Sequence, residues 1–410
     1  RAARAPPAAR RVAQRAAVTA RRVLFVAHNF PRHDGDAAGA FLLDLARALG
    51  RAGTGVRVIA PHAPGLPTDH VVGGIEVTRV RYAADARETL AYTGTMAEQA
   101  TRSVGGALAL LGMLGAMGRA VRALLRADMI DLVHAHWWFP AALAVGRPVA
   151  AARLPFVVTA HGSDVRLARG GLARRLARHA LAPADGVTTV SRWLGEALQP
   201  LAPVPVSITP MPADVHTFAA DPTIPRDPHR VLFVGRLNAQ KNPGVLVEAL
   251  AHLPPTTTLE LVADGADRER LAARAATLGL EARVLFRGAL PRHEIPDRMR
   301  RAAVVAVPSR GEGFGLVAAE ALLCGTPVVA TDDAGLRDIV RHGETGLAVT
   351  GDDPHAWAAA IGALLKDADL AGRLARAGQA TMTATVAPTA VASRMQAVYA
   401  DAIARRRRRG

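Results

Sequence analysis

The feature that most constrains the fold of this chain is a repeated alternation of short apolar runs with segments of helical periodicity. The run Val23–Ala27 is continuously apolar, which is typical of a strand buried on both faces of a sheet. Apolar residues at helical spacing follow within 41–49, and Val56–Ala60 is a second apolar run. Strand, helix and strand in this order form a βαβ unit with parallel strands and a right-handed crossover. The pattern predicts a doubly wound α/β fold.

The alternation is interrupted once, and the interruption divides the chain into two similar halves. Four prolines follow Pro210 before residue 229, and apolar periodicity is absent there. Further strands are predicted at 75–80, 132–135, 156–160, 187–190 and 206–209, and then at 231–234, 259–262, 284–286, 304–307, 328–330 and 347–349. Because 410 residues exceed what one core usually supports, we expect two domains.

The predicted organisation has six parts. They are a disordered basic extension (1–21), a first doubly wound domain (22–211), a linker (212–228), a second doubly wound domain (229–385), a C-terminal helix that packs back on the first domain (386–404) and a basic tail (405–410).

The net charge of +16 is concentrated at the two ends of the chain. Residues 1–22 hold seven arginines and residues 405–409 hold five, without an acid in either stretch. This distribution argues against a nucleic-acid partner, which would be indicated by a basic body. The termini are either solvated ends or segments attracted to an anionic membrane, and the same two interpretations apply to Arg174, Arg175 and Arg178 on one predicted helix.

The longest apolar stretch is Val104–Gly118, which stops at Arg119 before reaching the length of a membrane span. It is either a buried helix or a surface that dips into a bilayer interface. The first 22 residues lack the apolar region of a secretory signal, and the single cysteine, Cys324, fits a reducing compartment. We therefore expect a cytoplasmic protein, with a peripheral position at the inner face of the membrane left open.

A pair of cations follows the first strand of the second half. Arg236 and Lys241 lie five residues apart on the loop that begins at Gly235. A guanidinium can bridge two phosphate oxygens and an ammonium adds a point charge, so this loop is suited to a diphosphate. The chain has 49 arginines but only one other lysine, Lys366, so a lysine at a strand end indicates a geometric requirement.

A glycine-rich segment with two glutamates follows the strand at 304–307. Its glycines let the backbone approach a ligand, and the helix that follows offers free N–H groups to anionic oxygens. Glu312 precedes this helix and Glu320 is predicted about two turns inside it, roughly 12 Å away if the segment is helical. Carboxylates at that separation would accept hydrogen bonds from the sugar and the ribose at the two ends of a nucleotide-sugar. No convincing metal-binding Asp-x-Asp pair follows a strand.

Histidines and tryptophans follow two strands of the first half. His134, His136, Trp137 and Trp138 follow one strand and His161 follows another. A third ligand at matching spacing is missing, so a metal site is not indicated. The first two histidines either pack in the core or a cleft or contact the acceptor of a transferred sugar, and the tryptophans either stack on a sugar ring or are buried.

These elements together resemble the retaining glycosyltransferases of family 4, which have the GT-B fold. The resemblance covers about residues 22–400 and rests on six segments: HNFPRHDGDAAGAF (28–41), HAHWWFP (134–140), TAHGSDV (159–165), VGRLNAQKN (234–242), EGFGLVAAE (312–320) and CGTPVVATDDAGLRDIV (324–340). It implies two Rossmann-like domains that face a central cleft. At Ala263 the chain departs from the family, in which glycine is usual.

The resemblance also implies roles for individual residues. The catalytic set would be His161, Arg236, Lys241 and Glu312. The donor-binding set would be Gly39, Gly235, Arg236, Lys241, Glu312, Gly313, Phe314, Gly315, Leu316 and Glu320. On the acceptor side we place Arg32, Asp36, His136, Trp137 and Asp164. Transfer of a hexose-type sugar would proceed with retention, without a metal or cofactor, from a donor such as a UDP- or GDP-sugar.

Three functions remain to be distinguished. The first is glycosyl transfer to a glycan, a lipid-linked or a small-molecule acceptor. The second is a nucleotide-sugar epimerase on the same fold, which would need carboxylate pairs in both halves, whereas acids are few at the strand ends of the first half. The third is a non-catalytic binding protein that uses its basic termini.

Overall fold

The structure is a computed structural model that describes residues 20–36, 38–92, 96–127, 130–168 and 170–409. The basic extension predicted at 1–21 lies almost entirely outside the described residues. The chain divides into two compact units. One takes the chain up to Val190, Leu194–Thr209 and everything from Val391, and the other takes Ser191–Trp193 and Pro210–Ala390.

The first unit is built on an eight-stranded sheet with the order β3-β4-β2-β1-β5-β6-β7-β8. The strands are β1 (Arg22–Val26), β2 (Gly55–Pro61), β3 (Asp69–Val72), β4 (Ile75–Val80), β5 (Leu132–His136), β6 (Phe156–Ala160), β7 (Gly186–Thr189) and β8 (Val206–Ile208). The helices are α1 (Ala40–Arg51), α2 (Met96–Arg102), α3 (Val104–Ala127), α4 (Leu143–Ala151), α5 (Ser163–Leu167), α6 (Gly171–Leu181) and α7 (Arg192–Leu198). All neighbouring strands are parallel except β3 and β4.

The second unit has a six-stranded, fully parallel sheet with the order β11-β10-β9-β12-β13-β14. Its strands are β9 (Asp227–Val234), β10 (Thr258–Val262), β11 (Val284–Phe286), β12 (Ala302–Val307), β13 (Val328–Thr331) and β14 (Leu347–Val349). Its helices are α8 (Gly244–Leu250), α9 (Arg268–Thr277), α10 (Ile295–Arg301), α11 (Leu316–Leu323), α12 (Pro354–Lys366) and α13 (Ala368–Val386). The predicted doubly wound α/β class is confirmed in both units.

Each sheet has a point at which the strand order reverses. In the first unit the chain moves outward from β1 on one side and continues at β5 on the other, and in the second unit β9 and β12 stand in the same relation. Loops that leave the carboxyl ends of two such strands run to opposite faces, which opens a crevice where ligands of α/β proteins bind. Four of the six motifs identified in the sequence lie at the ends of β1, β5, β9 and β12, whereas TAHGSDV lies at the end of β6 and CGTPVVATDDAGLRDIV contains β13.

The last helix, α14 (Pro388–Arg409), packs from Val391 onward in the first unit. Met395, Tyr399 and Ala402 recur at helical spacing and are buried in the core around β1. The Tyr399 hydroxyl lies 2.9 Å from Nδ1 of His134 on β5. Burial of one apolar stripe therefore fixes this helix to the first unit.

The structure differs from the sequence predictions at three places. Strand β3 was not predicted, because its alternation spans only four residues before a Gly-Gly turn at 73–74. The C-terminal helix predicted at 386–404 begins at Pro388, after a separate helix that ends at Val386. The predicted basic tail is also helical as far as Arg409, where the guanidinium pairs with the buried Asp185 at 3.2 Å.

Candidate active site

In the second unit, an ion pair joins the loop after β9 to the loop after β12. The Lys241 ammonium lies 2.6 Å from Oε2 of Glu312, and both side chains are mostly shielded from solvent. The backbone N–H of Lys241 donates to Oδ1 of Asn238 at 2.9 Å, which fixes the turn that carries the lysine. The N–H of Arg310 donates to the Gln240 carbonyl at 2.8 Å. The two loops therefore form one surface at the carboxyl edge of the sheet.

The other predicted donor-binding groups lie on these same two loops. Arg236 is exposed and makes no ion pair with a residue that the structure describes. Gly313, Phe314 and Gly315 are buried, and Leu316 is the first residue of α11. The start of this helix has no side-chain cap. Uncapped first-turn N–H groups at the end of a helix are suited to an anion.

Gly315 has a geometry that only glycine can adopt at this position. Its φ is 101°, and an added Cβ would lie 2.5 Å from Cδ2 of Leu336. Gly235, with φ of 154°, begins the β9 loop and lies beside Phe233 and the Lys241 side chain. The two glycines therefore allow each loop to turn sharply away from its strand while the core below stays packed.

Glu320 is paired with an arginine that the sequence analysis missed. Its Oε1 lies 3.6 Å from Nη2 of Arg292, which is in the short 3-10 turn before α10. Because α11 begins only at Leu316, Glu320 lies just over one turn into the helix instead of the two turns predicted. Arg292 lies shortly beyond the end of β11, so closer attention to every strand end would have identified it as a candidate.

Two aspartates hold the glycine-rich loop in place. The Gly311 N–H donates to Oδ2 of Asp333 at 2.7 Å. Asp352 accepts from Nδ2 of Asn242 at 2.8 Å and pairs with the Arg310 guanidinium. These contacts cross from one loop to another, so they stiffen the surface that carries Lys241 and Glu312.

In the first unit, Arg32 and Asp36 bind each other within the loop after β1. The Arg32 guanidinium donates to Oδ2 of Asp36 at 2.6 Å from Nε and to Oδ1 at 3.2 Å. Burial opposes ionisation of Asp36, but the hydrogen bonds from Arg32 and Ala38 outweigh it and lower its pKa to about 2. The pair shapes the loop, and its predicted contact with the acceptor stays a prediction.

Gly39 closes the same loop at the start of α1. Its φ is 70°, and a Cβ at this position would lie 2.5 Å from the Asn29 carbonyl oxygen. A side chain here would therefore displace the backbone after β1. Its predicted approach to the donor phosphate remains untested.

His136 and His161 lie side by side at the ends of β5 and β6. Nδ1 of His136 is 3.2 Å from Nε2 of His161. Nδ1 of His161 is buried and has no partner among the residues that the structure describes. Burial, and then the neighbouring histidines, lower the pKa of both rings well below the ordinary value, so both imidazoles are neutral. His161 can therefore offer a hydrogen bond but not a positive charge.

Trp137 and Asp164 surround this pair. The Trp137 ring lies between His28 and His161, with centroid distances of 4.3 and 4.5 Å, and is almost fully buried. Asp164 is buried, and its Oδ1 accepts the N–H of His161 at 3.1 Å while Oδ2 accepts the N–H of Trp138. Burial raises the pKa of this carboxyl against the effect of those hydrogen bonds. Asp164 therefore positions the backbone of His161. For Trp137 and Asp164, direct contact with an acceptor stays a prediction.

The structure thus groups the predicted residues into three sets. One set lies in the second unit on the loops after β9 and β12 and on α11, and comprises Gly235, Arg236, Lys241, Glu312, Gly313, Phe314, Gly315, Leu316 and Glu320. In the first unit, His136, Trp137, His161 and Asp164 form a second set, and Arg32, Asp36 and Gly39 share the loop after β1.

Comparison with known proteins identifies the family. The family described as glycosyl transferases group 1 matches residues 214–381, and the one described as glycosyltransferase family 4 matches residues 38–216. The D-inositol 3-phosphate glycosyltransferase of Xylanimonas cellulosilytica is 33% identical over 91% of this chain and 94% of its own length. The protein of that name from Acidothermus cellulolyticus is 36% identical over 68% of both chains.

Solved structures show the same fold. Sucrose-phosphate synthase from Thermosynechococcus elongatus has a TM-score of 0.74 at 24% identity, over 92% of this chain and 97% of its own. HepE from Anabaena, in complex with UDP, has a TM-score of 0.70 at 22% identity, over 91% and 98%. With two parallel-sheet α/β units and both halves matched, the chain belongs to family 4 of the glycosyltransferases and is a glycosyltransferase with the GT-B fold.

Proposed function

We propose that this enzyme transfers a hexose-type sugar from a nucleotide-diphosphate sugar to an acceptor hydroxyl, with retention at the anomeric carbon and without a metal ion. The observation that carries the proposal is the Lys241–Glu312 pair, which places a cation and a carboxylate 2.6 Å apart at the strand-order reversal of the second unit. The cation can bind a diphosphate, and the carboxylate can accept a hydrogen bond from a sugar hydroxyl. A ligand in which a sugar is joined directly to a diphosphate presents both of these groups to the pair.

The donor would bind along the two loops in a fixed direction. Its diphosphate would lie against Lys241, Arg236 and the first N–H groups of α11, because the two loops present these positive groups together. Glu312 would accept hydrogen bonds from the transferred sugar, and Glu320, one helical turn away and paired with Arg292, from the ribose. HepE has been solved with UDP and with UDP-glucose, so uridine donors are the first to test, and guanosine donors come next.

In the reaction, the bond between the anomeric carbon and the phosphate oxygen breaks and a bond to the acceptor oxygen forms. The nucleoside diphosphate leaves with the bonding electron pair, and the proton of the acceptor hydroxyl passes to the departing phosphate oxygen on the same face of the sugar. Negative charge therefore grows on the phosphate, where Lys241 and Arg236 would stabilise it. Fixed cations can perform this task without a divalent metal.

On the acceptor side, we assign His161 to a hydrogen bond with the reacting sugar. The supporting observation is its buried, unpartnered Nδ1, since an unsatisfied buried polar atom costs about 1–3 kcal/mol. The lowered pKa of His161 excludes an imidazolium at neutral pH, so it would position a hydroxyl and not protonate it. We also assign the enzyme to the cytoplasm, because a single cysteine, Cys324, fits a reducing compartment.

The test is thermal stabilisation of the enzyme by a panel of nucleotide-sugars and nucleotides. A ligand at 100 times its Kd adds about 2.7 kcal/mol to the free energy of unfolding, or roughly 5–10 °C. We expect UDP-sugars or GDP-sugars to produce this shift, and Lys241→Ala and Glu320→Ala to abolish it while both variants remain folded. Lys366→Ala, which removes the chain's other and exposed lysine, is the matched control.

Two outcomes would contradict the proposal. The donor site is wrong if Lys241→Ala and Glu320→Ala are stabilised by the donor as strongly as the wild type. Glycosyl transfer is wrong if the enzyme converts a nucleotide-sugar into its epimer without releasing nucleoside diphosphate. Anomeric analysis of the product by NMR tests retention, and activity in EDTA tests the absence of a metal requirement.

A further inference from the structure

Four histidines and a tryptophan meet near the carboxyl ends of β1, β5 and β6 in the first unit. The ring centroids of His134 and His136 are 4.1 Å apart, and those of His136 and His161 are 5.4 Å apart. Trp137 lies between His161 and His28. His134 and His136 are fully buried, whereas His28 and His161 are partly exposed. A ligand can therefore reach His161 but not the two rings behind it.

The ring of His136 is held in place by its packing. The Phe25 ring meets it nearly edge-on, with centroids 4.5 Å apart. The neighbouring ring of His134 is itself fixed, because its Nδ1 lies 2.9 Å from the Tyr399 hydroxyl and its Nε2 lies 2.6 Å from Oγ1 of Thr159. A side chain in a close-packed core keeps one orientation, so the direction of Nδ1 of His136 is fixed.

A hydrogen bond joins the His136 and His161 rings. Nδ1 of His136 lies 3.2 Å from Nε2 of His161, and because burial lowers the pKa of both rings, both are neutral. A neutral imidazole has one N–H and one lone pair, so one ring donates and the other accepts. The direction of this bond therefore decides what each ring presents at its second nitrogen.

The two possible directions differ in where they leave an N–H without a partner. If Nε2 of His161 donates, His136 carries its proton on its own Nε2, which is buried and has no acceptor in the described part of the chain. If Nδ1 of His136 donates, the N–H without a partner is instead Nδ1 of His161, on a residue that a ligand can reach. A permanently unpaired buried N–H is unfavourable, so the second direction is preferred.

The surroundings of His161 leave Nδ1 as the ring atom that can serve a ligand. Phe41 and Trp137 lie against its ring, with centroid distances of 5.1 and 4.5 Å. Asp164 holds its backbone N–H at 3.1 Å. Because Nε2 is engaged by His136, the polar atom that remains for a substrate is Nδ1.

We propose that His136 is a positioning residue that fixes the tautomer of His161. Nδ1 of His136 donates its N–H to Nε2 of His161, so the His161 ring carries its proton on Nδ1 and presents an N–H to an oxygen of the reacting sugar. His136 acts through His161 and does not itself touch the acceptor. This inference rests on the proposed glycosyl transfer, in which His161 contacts the reacting sugar.

The tautomer determines what His161 does in the reaction. An Nδ1 that already carries a proton donates to a sugar oxygen, but it has no lone pair to take a proton from the acceptor hydroxyl. His161 is therefore not the general base, and the proton of the acceptor hydroxyl passes to the departing phosphate oxygen, as in the proposed reaction. The opposite tautomer would present a lone pair at Nδ1 and make the ring a base.

The first measurement determines the tautomer in the wild-type enzyme by NMR. The histidine rings of the full-length protein are labelled with the heavy nitrogen isotope, and the signals of His161 are identified by their loss in His161→Gln. The protonated and unprotonated nitrogens of a neutral imidazole have clearly different chemical shifts. We expect Nδ1 of His161 to carry the proton and Nε2 to be unprotonated, both in the free enzyme and with nucleotide-sugar bound.

The second measurement compares two variants of nearly identical shape. His136→Asn supplies an amide that can donate an N–H to His161, whereas the ionised carboxylate of His136→Asp can only accept one. We expect His136→Asn to keep the proton on Nδ1 of His161 and to retain kcat within about threefold. His136→Asp should move the proton of the neutral ring to Nε2 and lower kcat about tenfold, through loss of the hydrogen bond to the reacting sugar.

The matched control is His134→Asp. It places the same charge in the same cluster, but both nitrogens of His134 face Tyr399 and Thr159 and not His161. We expect the His161 proton to stay on Nδ1 in this variant. The wild-type spectrum needs only a substitution at the partly exposed His161, so it tests the inference even where a change in the buried cluster prevents folding.

The inference is overturned if Nδ1 of His161 carries no proton in the wild type, or if His136→Asn and His136→Asp have the same tautomer at His161. It is also overturned if the control moves the proton as His136→Asp does. Thermal stabilisation by the nucleotide-sugar is measured on the same samples. If the donor binds and sugar is transferred while the tautomer result fails, only the role of His136 is wrong. If no nucleotide-sugar stabilises the wild type, the proposed function itself fails.

Discussion

Replacing Glu312 with glutamine should tighten the binding of free nucleoside diphosphate and weaken catalysis. In the structure the Lys241 ammonium is already engaged by the Glu312 carboxylate at 2.6 Å. A phosphate that binds Lys241 must share the ammonium with that carboxylate and tolerate its negative charge. Glutamine keeps the shape of the side chain and one acceptor oxygen but removes the charge, so it frees the lysine without emptying the site.

The size of the effect follows from the exposure of the pair. Lys241 and Glu312 are 20% and 17% exposed, so the pair lies between an exposed ion pair, at up to about 1 kcal/mol, and a buried hydrogen bond to a charged group, at about 1.5–3 kcal/mol. If a bound phosphate must offset about 1 kcal/mol of the interaction between Lys241 and Glu312, Glu312→Gln lowers the Kd of UDP about fivefold. Turnover should fall by about 100-fold, because the sugar loses a charged acceptor at the reacting end.

The assay is calorimetric titration of UDP into four proteins: wild type, Glu312→Gln, Lys241→Ala and the double variant. Lys241→Ala alone should raise the Kd about 10- to 100-fold through loss of a charge-assisted hydrogen bond. In the Lys241→Ala background, Glu312→Gln should have little further effect, because its benefit acts through the ammonium. Glu269→Gln, at an exposed position on α9, is the control for removal of a carboxylate.

Two results would refute this reasoning. If Glu312→Gln binds UDP as the wild type does, or more weakly, the carboxylate does not compete with the phosphate for Lys241. If the gain persists unchanged in the Lys241→Ala background, it arises from general electrostatics and not from the pair.

Three further predictions concern stability. Gly315→Ala should lower the free energy of unfolding measured in urea by about 2–3 kcal/mol and abolish UDP binding, since its Cβ would lie 2.5 Å from Leu336. The control Gly351→Ala, where φ is 78° and the space around the residue is open, should lower the free energy of unfolding by only about 1 kcal/mol. Asp36→Asn should be less stable than the wild type at pH 6, and the difference should shrink as the pH falls from about 4 toward 2, because a carboxyl whose pKa is lowered to about 2 loses its stabilising effect only on protonation. Burial lowers the pKa of His134 to about 3, so protonation of this ring favours the unfolded state. The contribution of the neutral His134 to stability should decline as the pH falls from about 6.5 toward 3, and NMR of the folded protein should show a neutral ring at pH 5.

The sequence was sufficient for the fold because its information is local. A parallel strand buried on both faces must be a continuous apolar run, so β1, β9 and β12 can be identified without knowledge of their neighbours. The same reasoning predicts which loops carry chemistry, since only strand ends at a reversal of strand order open a crevice. Strand β3 was not predicted, because an antiparallel edge strand of four residues has too short an alternation of apolar and polar residues.

The partners within the site could not be predicted, because they depend on distances between segments far apart in the chain. Lys241 and Glu312 are separated by 71 positions. Sequence reasoning assigned both to the donor but gave no sign that they pair with each other. It likewise assigned Glu320 to the donor site but did not identify its partner Arg292, whose position depends on how α10 and α11 pack. The position of a residue at a strand end identifies it as a candidate for the site, and the packing of the side chains then determines which candidates contact each other.

Helix α3 shows how one sequence pattern can support two interpretations until its faces are separated. The sequence presents an apolar, glycine-rich stretch that fits a buried helix or a membrane surface, and the structure assigns each property to a face. Met113, Ala116 and Met117 are buried on the packed face, and Val104, Leu108 and Leu111 occupy the exposed one. The apolar run therefore has two causes, core packing on one face and an exposed stripe on the other, and only the packing of the helix separates them.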